Sequence, residues 1–259
     1  TARFWIHMPK RIEDALIARK RFAFEEVFFI QLERAHDRLE YAKNKSFTIT
    51  HNADKIENFI KRFPFELTTA QKKSVEDIVS DLEKNTPMAR LLEGDVGSGK
   101  TAVAAIASFA TISNRPDNKD FGNLQASIMA PTEILATQHF NSFIELFRHM
   151  PINIALITGK SCKKFPSKVN PSGWTDISRP QLLKWVANGE IPILIGTHTL
   201  IQKSVKFKNL ALAIIDEQHR FGVAQRSKFV RRDGFAPHLL SMTATPIPRT
   251  LALTIYGDL

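Results

Sequence analysis

The chain has 259 residues, a net charge of +10 and one cysteine. That length holds one large domain or two small ones without staples, and the lone Cys162, with no His/Cys cluster beside it, excludes a disulfide framework and a structural zinc site. The longest nearly uncharged apolar run, Ala102 to Ile112, is too short to span a bilayer, and no secretory pattern opens the chain. It starts at Thr1 rather than Met, which reads as a processed product or an excised segment; the composition predicts a soluble, intracellular, basic protein with no membrane partner.

Residues 11–45 predict one long helix. Leu16, Ala23, Phe24, Val27, Phe28, Gln31, Leu32, Ala35 and Leu39 recur at three- and four-residue spacing between charges, a face that needs a partner to cover it. The pattern breaks from Phe47 to Asn52, a short helix follows, and Pro64 closes the segment. Thr68 or Thr69 then caps a helix reaching Lys84. From there short apolar runs alternate with helical stretches. The runs are Ala89–Leu92, Ala126–Ala130, Ile152–Ile157, Ile191–Ile195, Leu210–Ile215 and His238–Met242. The helices are Lys100–Ile112, Thr132–His149, Pro180–Asn188, Gln225–Arg231 and Pro248–Tyr256. Near-continuous apolar strands alternating with helices predict an α/β fold, a parallel sheet covered by helices on both faces. Ser113–Asn123 and Ser161–Ser178, polar and without periodicity, read as loop insertions.

The positive charge is concentrated. Residues 160–208 hold nine basic and two acidic side chains, net +7, whereas residues 63–159 are net −3. A solvated Lys-rich insertion and a nucleic-acid face both fit that stretch.

Gly94-Asp95-Val96-Gly97-Ser98-Gly99-Lys100-Thr101 fits G-x-x-x-x-G-K-[ST] between a predicted strand and a predicted helix. Glycines let backbone N–H groups curl around phosphate oxygens, and the helix start adds positive potential. Lys100 then reaches the β- and γ-phosphates and the Thr101 hydroxyl ligates Mg²⁺. A second half of such a site is an acid at a later strand end. Leu210–Ile215 runs straight into Asp216, which would hold the metal, and Glu217, which would orient and deprotonate the attacking water. Neither Asn44-Lys45-Ser46-Phe47 nor Asn118-Lys119-Asp120-Phe121 completes a guanine-specific N-K-x-D. Gln71 offers a two-faced amide suited to adenine, and Phe63 or Phe65 could stack on the base; Phe65 also reads as a core or staple residue.

Several blocks together resemble the superfamily 2 helicases. Residues 63–71 look like the adenine-recognising Q-type motif, Gly94–Thr101 motif I, and Ala130–Ala136 motif Ia. Gly196-Thr197-His198 resembles motif Ib, Asp216-Glu217-Gln218-His219 motif II and Thr243-Ala244-Thr245 motif III. The strings Gly94–Thr101, Asp216–Val223 and Met242–Thr250 are similar to those of the RecG family, bacterial ATP-dependent DNA helicases that remodel forks and junctions. A second similarity is to the transcription-repair coupling translocases, which usually read Asp-Glu-Glu-Gln at motif II; Gln218-His219 favours the RecG side.

The resemblance implies a RecA-like P-loop NTPase domain over residues 63–259, the first of two motor domains, with residues 1–62 a helical linker from the wedge side. It implies ATP and Mg²⁺ as cofactors, DNA contacts at Thr132, Glu133, Thr197 and His198, and coupling through His219, Thr243 and Thr245. Branched or forked DNA would be the partner, in a monomeric, cytoplasmic, nucleoid-associated protein. Lys160–Pro180 is longer than the family pattern, and the sequence stops at Leu259, before the second motor domain and its arginine finger. On that resemblance the chain binds ATP and hydrolyses it poorly. A nucleotide-binding module without motor action is the remaining alternative.

Overall fold

In the computed structural model, which describes residues 2–116, 122–168, 170–216 and 235–244, all six apolar runs become strands. These are β1 (Ala89–Glu93), β2 (Gln125–Met129), β3 (Ile154–Ile157), β6 (Ile193–Gly196), β7 (Leu210–Asp216) and β8 (His238–Thr243). They lie parallel in the order β1-β8-β7-β2-β6-β3. Their C-terminal ends therefore open along one edge, where ligands of open α/β sheets sit.

One expectation fails here. Ser161–Ser178, read as a loop, contributes β4 (Cys162–Phe165) and β5 (Thr175–Asp176), which extend the sheet antiparallel beyond β3. Of Cys162-Lys163-Lys164-Phe165 only Phe165 is buried. β4 is held between β3 and β5, each paired to it antiparallel, so its place in the sheet needs no continuous apolar run of its own. Lys163 Nζ lies 3.6 Å from the Trp174 ring centroid, a cation–π contact between strand and loop. Cys162 is half-buried in β4, and desolvation pushes its pKa up, consistent with an unreactive sulfur.

Helices cover the sheet. They are α3 (Ala53–Ile60), α4 (Thr69–Leu82), α5 (Lys100–Ile112), α6 (Glu133–Phe147) and α7 (Arg179–Asn188). The apolar run Ala102 to Ile112 makes up most of α5, and every one of those residues is buried. A helix apolar all round belongs inside a core. Among the described residues no helix is long and apolar enough to cross a membrane. Gln125 is a buried polar residue on the central strand β2. Its amide nitrogen donates to Val186 O and Ile191 O, and its oxygen accepts from the N–H groups of Lys208 and Asn209, so nothing is left unpaired.

Two compact units divide the chain. One holds α1 (Ala2–His7) and α2 (Ile12–Ala42) as far as Tyr41; the other begins at Ala42 and carries the sheet. The α/β body thus starts earlier than residue 63, because Phe47, Ile49, Ile56 and Phe59 belong to its core. Phe59 stacks on Phe109 of α5 at 4.3 Å between centroids and lies 4.8 Å from Phe147 of α6. The expected helices at Gln225–Arg231 and Pro248–Tyr256 lie outside the described residues.

Candidate nucleotide-binding site

The phosphate loop joins β1 to α5. Gly94 N–H donates to Thr243 O at the end of β8, 3.3 Å away, so the loop is anchored where motif III begins. Gly97 and Gly99 have φ of +80° and +81°, backbone that a residue with a Cβ rarely adopts. Gly99 caps α5 in that left-handed conformation without a side-chain bond. Lys100 turns back into the loop, where Nζ donates to Gly94 O (2.6 Å) and Asp95 O (2.8 Å). Its ammonium is thus held inside a curve of backbone at the start of a 13-residue helix whose first N–H groups have no intrahelical acceptor. Thr101 follows in the first helical turn, half-buried.

Gln71 is built into the same loop. Thr68 caps α4, and the pair closes a capping box: Gln71 N–H donates to Thr68 Oγ1 (3.2 Å), and Thr68 N–H donates to Gln71 Oε1 (2.8 Å). The remaining nitrogen, Nε2, donates to Ser98 O at 2.7 Å. A Cβ at Gly99 would collide with that nitrogen, so this glycine serves the turn and the strut together. The two phenylalanines before α4 differ in burial: Phe63 is buried against Phe59, whereas Phe65, its ring 5.4 Å from that of Phe63, is 46% exposed.

The acid arrives from β7. Asp216 ends that strand in register with Met242 of β8, its side chain 15% exposed. Sequence reasoning missed its partner, His139 of α6, whose Nε2 donates to Asp216 Oδ2 at 2.7 Å. The one signal available was a polar residue within the buried row Ala136, Phe140, Phe143 and Phe147. Thr243 is 2% exposed on β8, opposite Glu93 of β1. Glu217, His219 and Thr245 lie outside the described residues. Among the described residues no three His, Cys, Asp or Glu side chains gather as a metal cage. A hydroxyl, one carboxylate and a phosphate cradle suit instead a magnesium ion shared with the nucleotide.

Beside this site the loops after β2, β6 and β3 follow one another along the same sheet edge. Thr132 is exposed and caps α6, its hydroxyl accepting from Leu135 N–H, with half-buried Glu133 next to it. Thr197 begins a short 3₁₀ turn and bonds Thr199 Oγ1 at 3.1 Å; His198 is exposed. Arg179 braces the next turn, donating to Thr158 O and Gln202 Oε1, both at 3.2 Å. A separate hollow of about 690 Å³ lies at the opposite end of the strands, among Lys55, Arg62, Asn153 and Glu190.

A phosphate loop and a strand-end acid on a parallel sheet define a P-loop nucleotide-binding domain. Residues 68–254 match the model of the DEAD/DEAH box helicases, and the chain belongs to that family, with a RecA-like core. Within it the similarity is to RecG. The ATP-dependent DNA helicases RecG of Synechocystis sp. and Bacillus subtilis are 42% and 43% identical to it over 260 and 255 residues. Those alignments cover 100% and 98% of this chain but 29% and 34% of the relatives, so it spans about a third of their length. A RecG solved with a three-way DNA junction superposes with a TM-score of 0.76 at 38% identity, over 99% of this chain and 32% of that one.

Proposed function

We propose that this chain is the ATP-binding motor half of a RecG-like DNA helicase that remodels replication forks and recombination junctions. The observation that carries this reading is the single sheet edge on which phosphate loop, Asp216 and the loops at Thr132–Glu133 and Thr197–His198 stand in sequence along adjoining strands.

The N–H groups of residues 94–99 would surround the nucleotide's phosphates, and Lys100 Nζ would exchange its two carbonyl acceptors for phosphate oxygens. Thr101 and Asp216 would hold Mg²⁺, which neutralises charge on the phosphates. Glu217 would take the proton of the attacking water. Gln71 would read adenine while keeping its bond to the loop, and Phe65 would stack on the base. Thr132, Glu133, Thr197 and His198, with the N–H groups of their loops, would grip DNA phosphates without reading sequence. The basic excess of residues 160–208 spans one of those loops and suits a polyanion. Thr243, His219 and Thr245 would relay changes between the two sites.

Phosphoryl-transfer enzymes that use an arginine finger gain ~10³- to 10⁵-fold from it. With the finger, a second motor domain and a wedge supplied by other parts of a monomeric, cytoplasmic protein, this chain alone binds ATP and turns it over slowly. The test is binding of a fluorescent ATP analogue to purified 1–259, together with its DNA-stimulated turnover. Binding that Lys100→Ala abolishes, with turnover far below that of an intact RecG, is the expected result. Undiminished affinity in Lys100→Ala overturns the nucleotide assignment, and turnover matching an intact RecG overturns the half-motor assignment.

A further inference from the structure

We infer that His139 is a positioning residue for the carboxylate of Asp216 and ties it to the helix that starts at the proposed DNA loop. The inference rests on the reading of Asp216 as a holder of Mg²⁺.

The bond is a long-range one, joining positions 77 apart in sequence. Both groups are largely withdrawn from water, with side chains 11% and 15% exposed. Placing an imidazole and a carboxylate there costs desolvation that a well-packed apolar pair would not incur, so fold stability alone gives little reason for the pair. What the pair does supply is orientation. Asp216 is the last residue of β7, and its side chain would otherwise turn about its own bonds. With Oδ2 engaged by His139, the carboxylate plane is set and Oδ1 is left for a cation. Hydrogen bonds to ligating carboxylates act in this way at metal sites generally.

The anchor itself is rigid. Ala136, Phe140 and Phe143 are 0% exposed and hold α6 against the sheet on both sides of His139. Thr132, the cap of α6, stands seven residues upstream, roughly 10 Å along the axis. Any shift of α6 driven at Thr132–Glu133 therefore reaches Asp216 through one helix and one hydrogen bond.

The experiment compares wild type, His139→Leu and His139→Gln in purified 1–259, measuring affinity for a fluorescent ATP analogue with Mg²⁺ and with EDTA. Mn²⁺ bound to the protein–nucleotide complex is followed in parallel by electron paramagnetic resonance. With Mg²⁺ we expect His139→Leu to weaken binding about tenfold, the low end for loss of a partner to a metal ligand. In EDTA its affinity should equal that of wild type. His139→Gln, which keeps an N–H near the position of Nε2, should recover most of the loss, and Mn²⁺ affinity should follow the same order. An unchanged Mg²⁺ increment in His139→Leu overturns the inference, as does a loss of equal size with and without metal, which marks a merely structural role. If wild type itself shows no Mg²⁺ increment while Lys100→Ala still abolishes binding, the metal assignment of Asp216 falls and this inference with it.

Discussion

Two phenylalanine-rich stretches near the start of the chain meet opposite fates. In α2, Phe24, Phe28 and Phe29 are 60%, 50% and 63% exposed, and Leu16, Leu32 and Leu39 are exposed as well. A few turns of chain later Phe47, Phe59 and Phe63 are all less than 9% exposed. Aromatic content is similar in the two, so it does not decide burial. The apolar residues of α3 are gathered on one face, whereas those of α2 are spread around the helix, and the buried stretch is also tied down. The segment before α3 is bonded through its backbone to the end of α4, Ser46 N–H to Asn85 O (2.8 Å) and Ile49 N–H to Leu82 O (3.0 Å). Asn52 then caps α3, and Ile56, Phe59 and Phe63 fall at spacings of three and four onto α5 and α6. The aromatics of α2 meet one another instead, Phe24 and Phe28 stacking 6.1 Å apart at four-residue spacing.

The strongest way to break this contrast is Phe59→Ala. Phe59 touches Phe63, Phe109 and Phe147, three rings that cannot all collapse into the space it leaves. The expected loss is about 3–5 kcal/mol, read as a shift of the urea midpoint at constant slope. A loss below about 1 kcal/mol would mean that α3 is not part of the core, and that residues 1–62 behave as one linker after all.

Legibility follows the range of the interaction that fixes each feature. The six parallel strands and the phosphate loop are written locally, in apolar runs such as Leu210–Ile215 and in glycines spaced for one turn. Asp216 was readable for the same reason, as an acid at the end of such a run. β4 escaped because Cys, Lys, Lys and Phe carry no apolar run, its pairing being supplied by Ile154–Ile157 on one side and Thr175–Asp176 on the other. The start of the α/β body escaped because it is set by Phe47 and Phe59 finding residues far along the chain. His139 escaped because its partner lies 77 positions away, and the strut from Gln71 to Ser98 escaped because those two are 27 positions apart.

His238 gives a smaller and pH-dependent effect on the same attachment. Its Nδ1 accepts from Met88 N–H (3.0 Å) and its Nε2–H donates to Phe47 O (2.9 Å), which fixes the neutral ring between β8 and the segment before α3. Burial lowers its pKa from the ordinary 6.5, against opposing contributions from the Phe47 carbonyl and the Asp81 charge. The unfolded chain therefore takes up this proton first as pH falls. The stabilisation is complete above 6.5 and is lost progressively as pH drops from there towards the lower folded value. His238→Ala should cost about 2–3 kcal/mol near neutral pH by leaving two buried backbone groups without partners. It should also flatten the acid side of a plot of melting temperature against pH. A variant with the wild-type acid slope would show that His238 is not what tethers Phe47.

Phe28→Ala sharpens the other side of the contrast through the smallness of its effect. The ring is half-exposed, so truncation removes little area that folding had withdrawn from water, and the i,i+4 stack on Phe24 contributes only about 0.2–0.5 kcal/mol. Alanine returns a similar amount through its higher helix propensity. The net change in unfolding free energy should stay within about 0.5 kcal/mol, measured beside Phe59→Ala in the same urea titration. A loss approaching that of Phe59→Ala would collapse the distinction, because it would require the aromatic row of α2 to be covered in solution as closely as Phe59 is covered by α5 and α6.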